Sequence, residues 1–305
     1  MKKWGLISSI VLAVVLIAAI VFFAILAKKP DVYVAGTEEG VAMLWKNGKA
    51  QRLTGGTIAN SVYVSGNDVY IAGNVVDRVG TLGYSSAMLW KNGKEQRLTG
   101  VYKVAHSVCV SGNDVYVIGG GKLWKNGMEQ SLTSGVIGGG KLWKNGMEQS
   151  LISGSYLASA SSVFVSDNDV YVVGHKIVQR KQVVILWKNG IAQDITDGKN
   201  YAFARSIFVS GNDVYIVGVE SVQEKDIVKL WKNGVAQNLT DGNNYADANS
   251  VFVSGNDVYI AGSEKNTEGN FVAKLWKNGK AQSLTNGYYY ANANSVFVTK
   301  PKRNL

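Results

Sequence analysis

One cysteine, two histidines and two prolines are all that 305 residues hold of three residue types on which many folds and sites depend. A single thiol, Cys109, excludes an internal disulfide framework. It stands in "SVCV", where sister segments carry Phe or Tyr, the setting of a buried and inert thiol. His106 and His175 lie in different repeats without ligand spacing, so neither a metal nor a cofactor is expected. Charged residues make up only 18% of the chain. The formal charge of +10 shrinks once Lys2, Lys3, Lys28 and Lys29, which flank the first apolar run, are set aside: 28 basic residues then face 22 acidic ones. That balance is not a nucleic-acid footprint. A Gly-x-Ser-x-Gly elbow, a phosphate loop and a dinucleotide fingerprint are all missing. The "GGG" runs at 119–121 and 138–140 lie between strand signals, not before a helix.

What is present begins with an uncharged run from Trp4 to Ala27. At about 1.5 Å per residue it is long enough to cross a bilayer as a helix. Its "AILAKK" end is a poor small-x-small cleavage site. The expectation is an uncleaved, single-pass anchor over 1–30 and one β domain over 31–305. The basic tail before the apolar run, and a domain rich in Asn, Ser, Gly and Tyr, place that domain outside the cytoplasmic membrane.

Everything after Pro30 repeats itself. The best-formed unit reads "ANSVFVSGNDVYIAGSEKNTEGNFVAKLWKNGKAQSLTNG" from Ala248. Its tryptophan returns at Trp45, Trp90, Trp124, Trp143, Trp187, Trp231 and Trp276, at a spacing of 44 or 45 outside one doubled zone. Each unit holds four short β signals. Strand a ("SVFV") and strand b ("DVYIAG") flank Gly-Asn, which suits a type II′ turn. Strand c ("AKLWK") and strand d ("KAQSLT") flank Asn-Gly, the residues of a type I′ turn. Four antiparallel strands in 44 residues is the size of a β-propeller blade. Strands a and b occur six times and the c–d hairpin seven times. The chain enters on a strand b at Asp31 and leaves on a strand a at 295–298. A six-bladed β-propeller follows, closed by the C-terminal strand and preceded by one transmembrane helix. The surplus c–d hairpin, 136–154, is either an appended duplication or an incomplete seventh blade.

The "SVFVSGNDVYIAG…AKLWKNG" unit resembles the repeats of anchored or exported bacterial propeller-like proteins. More distantly it is similar to kelch repeats, which carry a Gly pair after strand b and a Trp on strand c, as at Gly119, Gly120 and Trp124. The resemblance covers 31–299. It implies a fold and a recognition surface, and no reaction.

In a propeller the a–b and c–d turns share one face, and the b–c and d–a connections share the other. Here the first face is nearly invariant and the second varies, and variable loops on a rigid scaffold are where binding residues sit. Tyr102, Tyr156, Tyr201, Phe203, Tyr245, Tyr288, Tyr289 and Tyr290 are the candidate binding residues on the variable face, suited to a glycan or a protein partner. Asn60, His106, Ser161, Arg205, Asn249 and Asn294, each preceding a strand-a serine, form a candidate polar ring at the channel mouth. On the invariant face, Lys46, Lys91, Lys125, Lys144, Lys188, Lys232 and Lys277 form a basic rim expected toward the membrane, where lysines also guard sheet edges. The chain is read as a monomeric, non-catalytic binding or scaffolding module. The alternatives are a structural repeat protein without a ligand, or a glycan-active enzyme using two of Glu38, Glu39, Asp77, Asp197, Glu220, Glu224, Asp226, Asp241, Asp247, Glu264 and Glu268.

Overall fold

The computed structural model describes residues 29–79, 82–101, 105–111, 114–119, 122–125, 128–131, 141–144, 147–150, 158–166, 169–189 and 191–299. The expected anchor lies outside these residues, apart from its last two. Among the described residues no helix is long and apolar enough to cross a membrane. All of the regular structure described is β.

The first wedge starts with β1 (Val32–Glu38), β2 (Val41–Lys46) and β3 (Lys49–Arg52). The second is β4 (Ile58–Ser65), β5 (Asp68–Val79), β6 (Leu82–Lys91) and β7 (Lys94–Val101). The third is β8 (Ser107–Ser111), β9 (Asp114–Gly119), β10 (Lys122–Lys125) and β11 (Met128–Ser131). Next comes a hairpin, β12 (Lys141–Lys144) and β13 (Met147–Ser150), paired only with itself among the described residues. Three more wedges follow: β14 (Ala158–Ser166), β15 (Asp169–Val178), β16 (Lys181–Lys188) and β17 (Ile191–Asp194); β18 (Tyr201–Ser210), β19 (Asp213–Val222), β20 (Lys225–Lys232) and β21 (Val235–Asn238); β22 (Ala246–Ser254), β23 (Asp257–Lys265), β24 (Phe271–Lys277) and β25 (Lys280–Ser283). The last strand, β26 (Ala291–Val298), returns to pair antiparallel with β1, with Val32 opposite Val298 and Tyr33 opposite Phe297. It completes the first sheet in the order β26-β1-β2-β3. The described sheets are thus six of four antiparallel strands and one of two, and the doubled stretch supplies the two-stranded one.

The tight turns follow the chemistry read from them. Asn47 and Gly48 have φ of 51° and 80°, and Asn233 and Gly234 have 51° and 81°, the two left-handed residues of a type I′ turn. Gly66, Gly211 and Gly255 have φ between 58° and 60°, and the Asn after each stays out of the left-handed region, as a type II′ turn requires.

Two expectations need correction. The b–c connections at 74–86, 175–183 and 219–226, expected as variable loops, are largely strand: β5 and β6 stay paired from Asn74 with Ala87 out to Val79 with Leu82, and β15 with β16, and β19 with β20, run on to two-residue turns at Gln179-Arg180 and Gln223-Glu224. Those turns hold non-glycine residues at φ of 47–66°, so the usual Asn-Gly signal is absent from them. Strand a also starts earlier than its "SVFV" core. Alternate alanines such as Ala202, Ala204, Ala246 and Ala248 are buried, which makes "YAFAR" and the "ADAN" from Ala246 strand, not loop.

Among the described residues the sheets pack face to face in series, from β14–β17 through β18–β21, β22–β25, the first sheet and β4–β7 to β8–β11. Trp90 is fully buried against Tyr33, Ala35 and Leu44 of the preceding sheet, and its Nε1 donates to Thr54 O at 2.8 Å. Trp231 fills the sheet of Tyr171 and Val173, Trp276 that of Tyr215 and Val217, and Trp45 that of Tyr259 and Ala261. The innermost strands are tied in series by serine hydroxyls. Ser162 Oγ accepts from Ile207 N, Ser206 from Val251 N, Ser250 from Val296 N, Ser295 from Val62 N and Ser61 from Val108 N, all at 3.2–3.3 Å. Phe164, Phe208, Phe252, Phe297 and Tyr63 follow the same path, their successive ring centroids 4.6–5.1 Å apart.

A β-bulge interrupts every strand a whose full pairing is described except β8: the pairing slips between Ala59 and Ser61, Ala160 and Ser162, Ala204 and Ser206, and Ala248 and Ser250, and similarly at Asn294. The bulge presses a carbonyl against strand b. A Cβ on Gly218 would lie 2.1 Å from Phe203 O, and one on Gly262 2.0 Å from Asp247 O. The single Gly of "DVYIAG" is therefore required by the bulge, whatever its likeness to a kelch glycine. Gly218→Ala should cost about 3 kcal/mol by overpacking, against about 1–2 kcal/mol for Gly211→Ala, where only the left-handed backbone objects. Trp231→Ala should cost about 3–5 kcal/mol through the cavity it opens. Urea unfolding midpoints test all three.

Candidate functional site

The invariant face is built from one device used repeatedly. Strand b opens with an Asp whose Oδ1 accepts from the Asn of "WKNG" and whose Oδ2 meets the adjacent Lys. At Asp213 these contacts are 2.7 Å to Asn233 Nδ2 and 2.8 Å to Lys232 Nζ. Asn233 Oδ1 in turn accepts from Val214 N at 2.8 Å, and Lys232 lies over the Tyr215 ring at 5.2 Å. The same set recurs at Asp31 with Lys46 and Asn47, and at Asp68 with Lys91 and Asn92. Asp169 joins Lys188 and Asn189, and Asp257 joins Lys277 and Asn278. Five of the seven rim lysines are therefore spent within their own sheet; the side chains of Lys125 and Lys144 lie outside the described residues. Beside the a–b turns of this face, Val64, Phe208, Phe252, Val253, Phe297 and Val298 line a cavity of about 510 Å³.

The variable face gathers the aromatics. Tyr201 and Phe203 sit on β18, Tyr245 at the entry to β22, and Tyr288, Tyr289 and Tyr290 before β26, so three successive sheets contribute. Tyr201, Tyr245, Tyr289 and Tyr290 are about half-exposed, and Tyr288 is 72% exposed. Phe271 on β24, which the sequence reading did not single out, links them: its ring is 5.6 Å from Tyr245 and 5.2 Å from Tyr290, both edge-on. Lys265 Nζ lies 5.1 Å over Phe271 and 5.9 Å over Tyr245. The only signal for Phe271 was its position, at the mouth end of strand c. Tyr289 bonds Glu39, which raises the phenol above its ordinary 10.0. Tyr102 and Tyr156 lie outside the described residues.

Five residues of the expected polar ring, Asn60, Ser161, Arg205, Asn249 and Asn294, are bulge residues, and His106 precedes β8, whose pairing with β9 is regular. Asn60, Asn249 and Asn294 donate to carbonyls of the next sheet, at Ala105 (2.8 Å), Ala293 (3.0 Å) and Ala59 (2.9 Å). Their amides tie sheets together. His106 and Ser161 are exposed. Arg205 instead meets Asp247 Oδ2 at 3.2 Å and lies 4.7 Å over the Phe203 ring. Burial raises the Asp247 carboxyl above its ordinary 3.8, with Arg205 opposing. Burial, then Arg205, lowers His175 below 6.5.

Most of the carboxylates expected as enzyme candidates on this face are engaged in structure. Glu220 pairs with Lys229 at 2.5 Å, Glu264 with Lys274 at 3.3 Å, Glu39 with Arg52 at 2.8 Å and Asp197 with Lys199 at 2.8 Å. Asp226 bonds Ser221, and Asp241 caps its own turn through Asn243 N at 2.9 Å. Among the described residues no group of three or more His, Cys, Asp and Glu is placed to hold a metal.

No family model and no curated protein matches this chain. Solved structures do resemble it. A puromycin-hydrolyzing peptidase of Mycobacterium tuberculosis is 10% identical with a TM-score of 0.49, over 85% of this chain and 53% of that one. The acylaminoacyl peptidase of Pyrococcus horikoshii is 12% identical with a TM-score of 0.38, over 81% and 42%. AztD of Citrobacter koseri is 10% identical with a TM-score of 0.39, over 90% and 99%. The chain spans about half the length of the two peptidases it resembles. At this identity the likenesses assign it no activity.

The repeated Asp–Asn–Lys device sets a pH dependence. The carboxyl of Asp31 is lowered chiefly by the Asn47 hydrogen bond, and those of Asp68, Asp169, Asp213 and Asp257 chiefly by the lysine bond. A folded value below the unfolded 3.8 means stabilisation that is present above 3.8 and lost as the pH falls through the lowered values. The thermal midpoint should drop between about pH 5 and pH 2. The triple variant Asp68→Asn, Asp213→Asn, Asp257→Asn should show a shallower drop; an unchanged slope would contradict this assignment.

Proposed function

We propose that the chain is a non-catalytic binding or scaffolding propeller of six blades, tethered by an N-terminal anchor, whose variable face recognises a glycan or a protein. In this reading the six four-stranded sheets are the blades. The serine-tied series from β14 through β18, β22, β26 and β4 to β8 supports this reading, and the ring it calls for closes between β8 and β14. The β12–β13 hairpin is then a local duplication that the ring carries outside its blade count.

One observation carries the functional part: three successive sheets bring five half-exposed or exposed tyrosines to the same face. Aromatic rings held on a rigid scaffold offer large contact area at small entropic cost. The invariant face, by contrast, uses its charged side chains internally. The chain enters at Asp31 and leaves at Thr299, which bond to each other on the invariant side through Asp31 N and Thr299 Oγ1 at 3.0 Å. A tether over 1–30 then turns the tyrosines away from the bilayer and sets the invariant face, with its lysine rim, toward it.

The test uses the full chain in detergent, on a glycan array and in pull-downs against defined surface fractions. Selective retention is expected. Tyr245→Ala with Tyr290→Ala should weaken it by about tenfold or more, roughly 1.4 kcal/mol, with an unchanged thermal midpoint. Equal retention by the double variant would overturn the assignment of the face.

A further inference from the structure

Three successive sheets carry an equivalent cross-strand row on the variable face, so each row is a control for the others. In the row of β18, β19 and β20, Tyr201 stands opposite Ser221 and Ser221 opposite Asp226, whose carboxylate accepts from the serine hydroxyl. In the row of the first sheet, Glu39 N donates to Tyr290 O at 3.0 Å, and the Glu39 carboxylate pairs with Arg52 at 2.8 Å. In the row between them, Lys265 N donates to Tyr245 O at 2.8 Å, and Lys265 stands opposite Phe271. The charged group of each flanking row has a polar partner. The middle row sets an apolar ring where the preceding row has its carboxylate.

Lys265 is therefore left with rings. Its Nζ lies 5.1 Å over Phe271 and 5.9 Å over Tyr245, and among the described residues it makes no hydrogen bond and no ion pair. Its sequence neighbour Glu264 is taken by Lys274 at 3.3 Å, and Glu268, exposed at the tip of the same connection, makes no bond to it. Other cations of this face are committed: Lys229 to Glu220, Arg205 to Asp247 and Lys199 to Asp197. The ammonium is also reachable. Lys265 is partly exposed, and its Nζ does not belong with the buried, unpartnered atoms of Thr37, Trp45, His175 and Asp247. An ammonium offers three donors, and rings cover only part of this one. The rings beside it, Tyr245 and Tyr290, are both about half-exposed and are joined through Phe271.

We infer that Lys265 is the charged centre of a subsite for an acidic sugar residue, a uronate or a sulfated sugar. The sugar ring lies on Tyr245 or Tyr290, and its anionic group accepts from the Lys265 ammonium. This deepens the reading of the variable face and rests on it. One ammonium beside water holds a free anion only weakly, so the ligand has also to cover ring surface. A sugar with its charge on one edge and C–H groups on one face does both. Hydrogen bonds between ionised partners are roughly twice as strong as neutral ones, so the acidic sugar is preferred over its neutral counterpart. An acidic peptide brings more charge than one unpaired ammonium answers. Ser221 and Glu39, at the equivalent place in the flanking rows, offer no cation, so the subsite belongs to one sheet.

The test uses the full chain in detergent and immobilised ligands in pairs: oligouronates and the same chains with their carboxyls reduced to alcohols, sulfated oligosaccharides and the same chains desulfated, with oligoglutamate alongside. Retention of at least one acidic sugar is expected, weakened about tenfold or more in its neutralised form. The pair that shows the loss distinguishes carboxylate from sulfate. Lys265→Ser, which installs the residue of the β19 row, should remove the preference, and Lys265→Arg should keep it. Equal retention of charged and neutralised sugar would overturn the subsite and needs no variant to read. So would binding of the acidic sugar by Lys265→Ser within twofold of wild type, or oligoglutamate held as tightly as the sugar. Capture of neutral sugars or a protein in a manner sensitive to Tyr245→Ala and Tyr290→Ala, without any acidic preference, would refute the subsite and leave the binding face standing. Retention of no glycan and no protein would overturn both.

Discussion

None of the described sheets is seen to have a core of its own; the clusters of buried residues each span two sheets. Four strands of four to twelve residues expose apolar side chains on both faces, and a single such sheet has too little interior to be stable alone. The tryptophan of strand c resolves this by lying in the face of the preceding sheet, so each wedge is completed by its neighbour. Pairing of β26 with β1 applies the same logic to the chain ends, since without it the first sheet would lack its innermost strand. Other features serve that docking. The serine hydroxyls fix the height of one inner strand against the next, and the bulge brings Asn60, Asn249 and Asn294 within reach of the adjacent sheet.

The two faces then diverge for a physical reason. On the invariant side, strand-b Asp, Asn of the turn and Lys beside it satisfy one another across a two-residue hairpin, so any change unpairs a group. That constraint explains why "SGND" and "WKNG" hardly vary among the repeats. On the other side the strands run past the region where neighbouring sheets touch, and their turns need only close. Charge there is local and irregular: Lys229 with Glu220, Lys274 with Glu264, Arg205 with Asp247. Only the last of these leaves a buried acceptor empty.

Much of the candidate site was legible in the sequence as a list and little of it as a geometry. The tyrosines could be assigned to one face from strand order alone, because hairpin connections alternate between faces. That Phe271 joins Tyr245 to Tyr290 could not, since it depends on how far strand c extends beyond its tryptophan. That Arg205 stands directly before a strand-a serine was readable. Its couple with Asp247 was not, because the partner lies 42 residues on, in a different sheet. The hairpin arms at 175–183 and 219–226 were misread as loops because Gln-Arg and Gln-Glu took left-handed turns without the usual residues. The "AxA" alternation that extends strand a was visible, yet small residues alternate too weakly in hydropathy to stand out.

By itself the sequence determined the strand order within each sheet, the two turn types and the interlocking of the first and last strands. These are local or periodic properties: positive φ at Gly and Asn, alternation along a strand, and a repeat cut between strands a and b. Tertiary structure alone decided that the strand-b glycine answers a bulge, that the rim lysines are held by aspartates of their own sheets, and that one bulge carries an ion pair where three others carry an amide tie. Each of those turns on distances between separate strands or separate sheets. Repeating units look equivalent along the chain; only packing shows which groups find partners and which are left over.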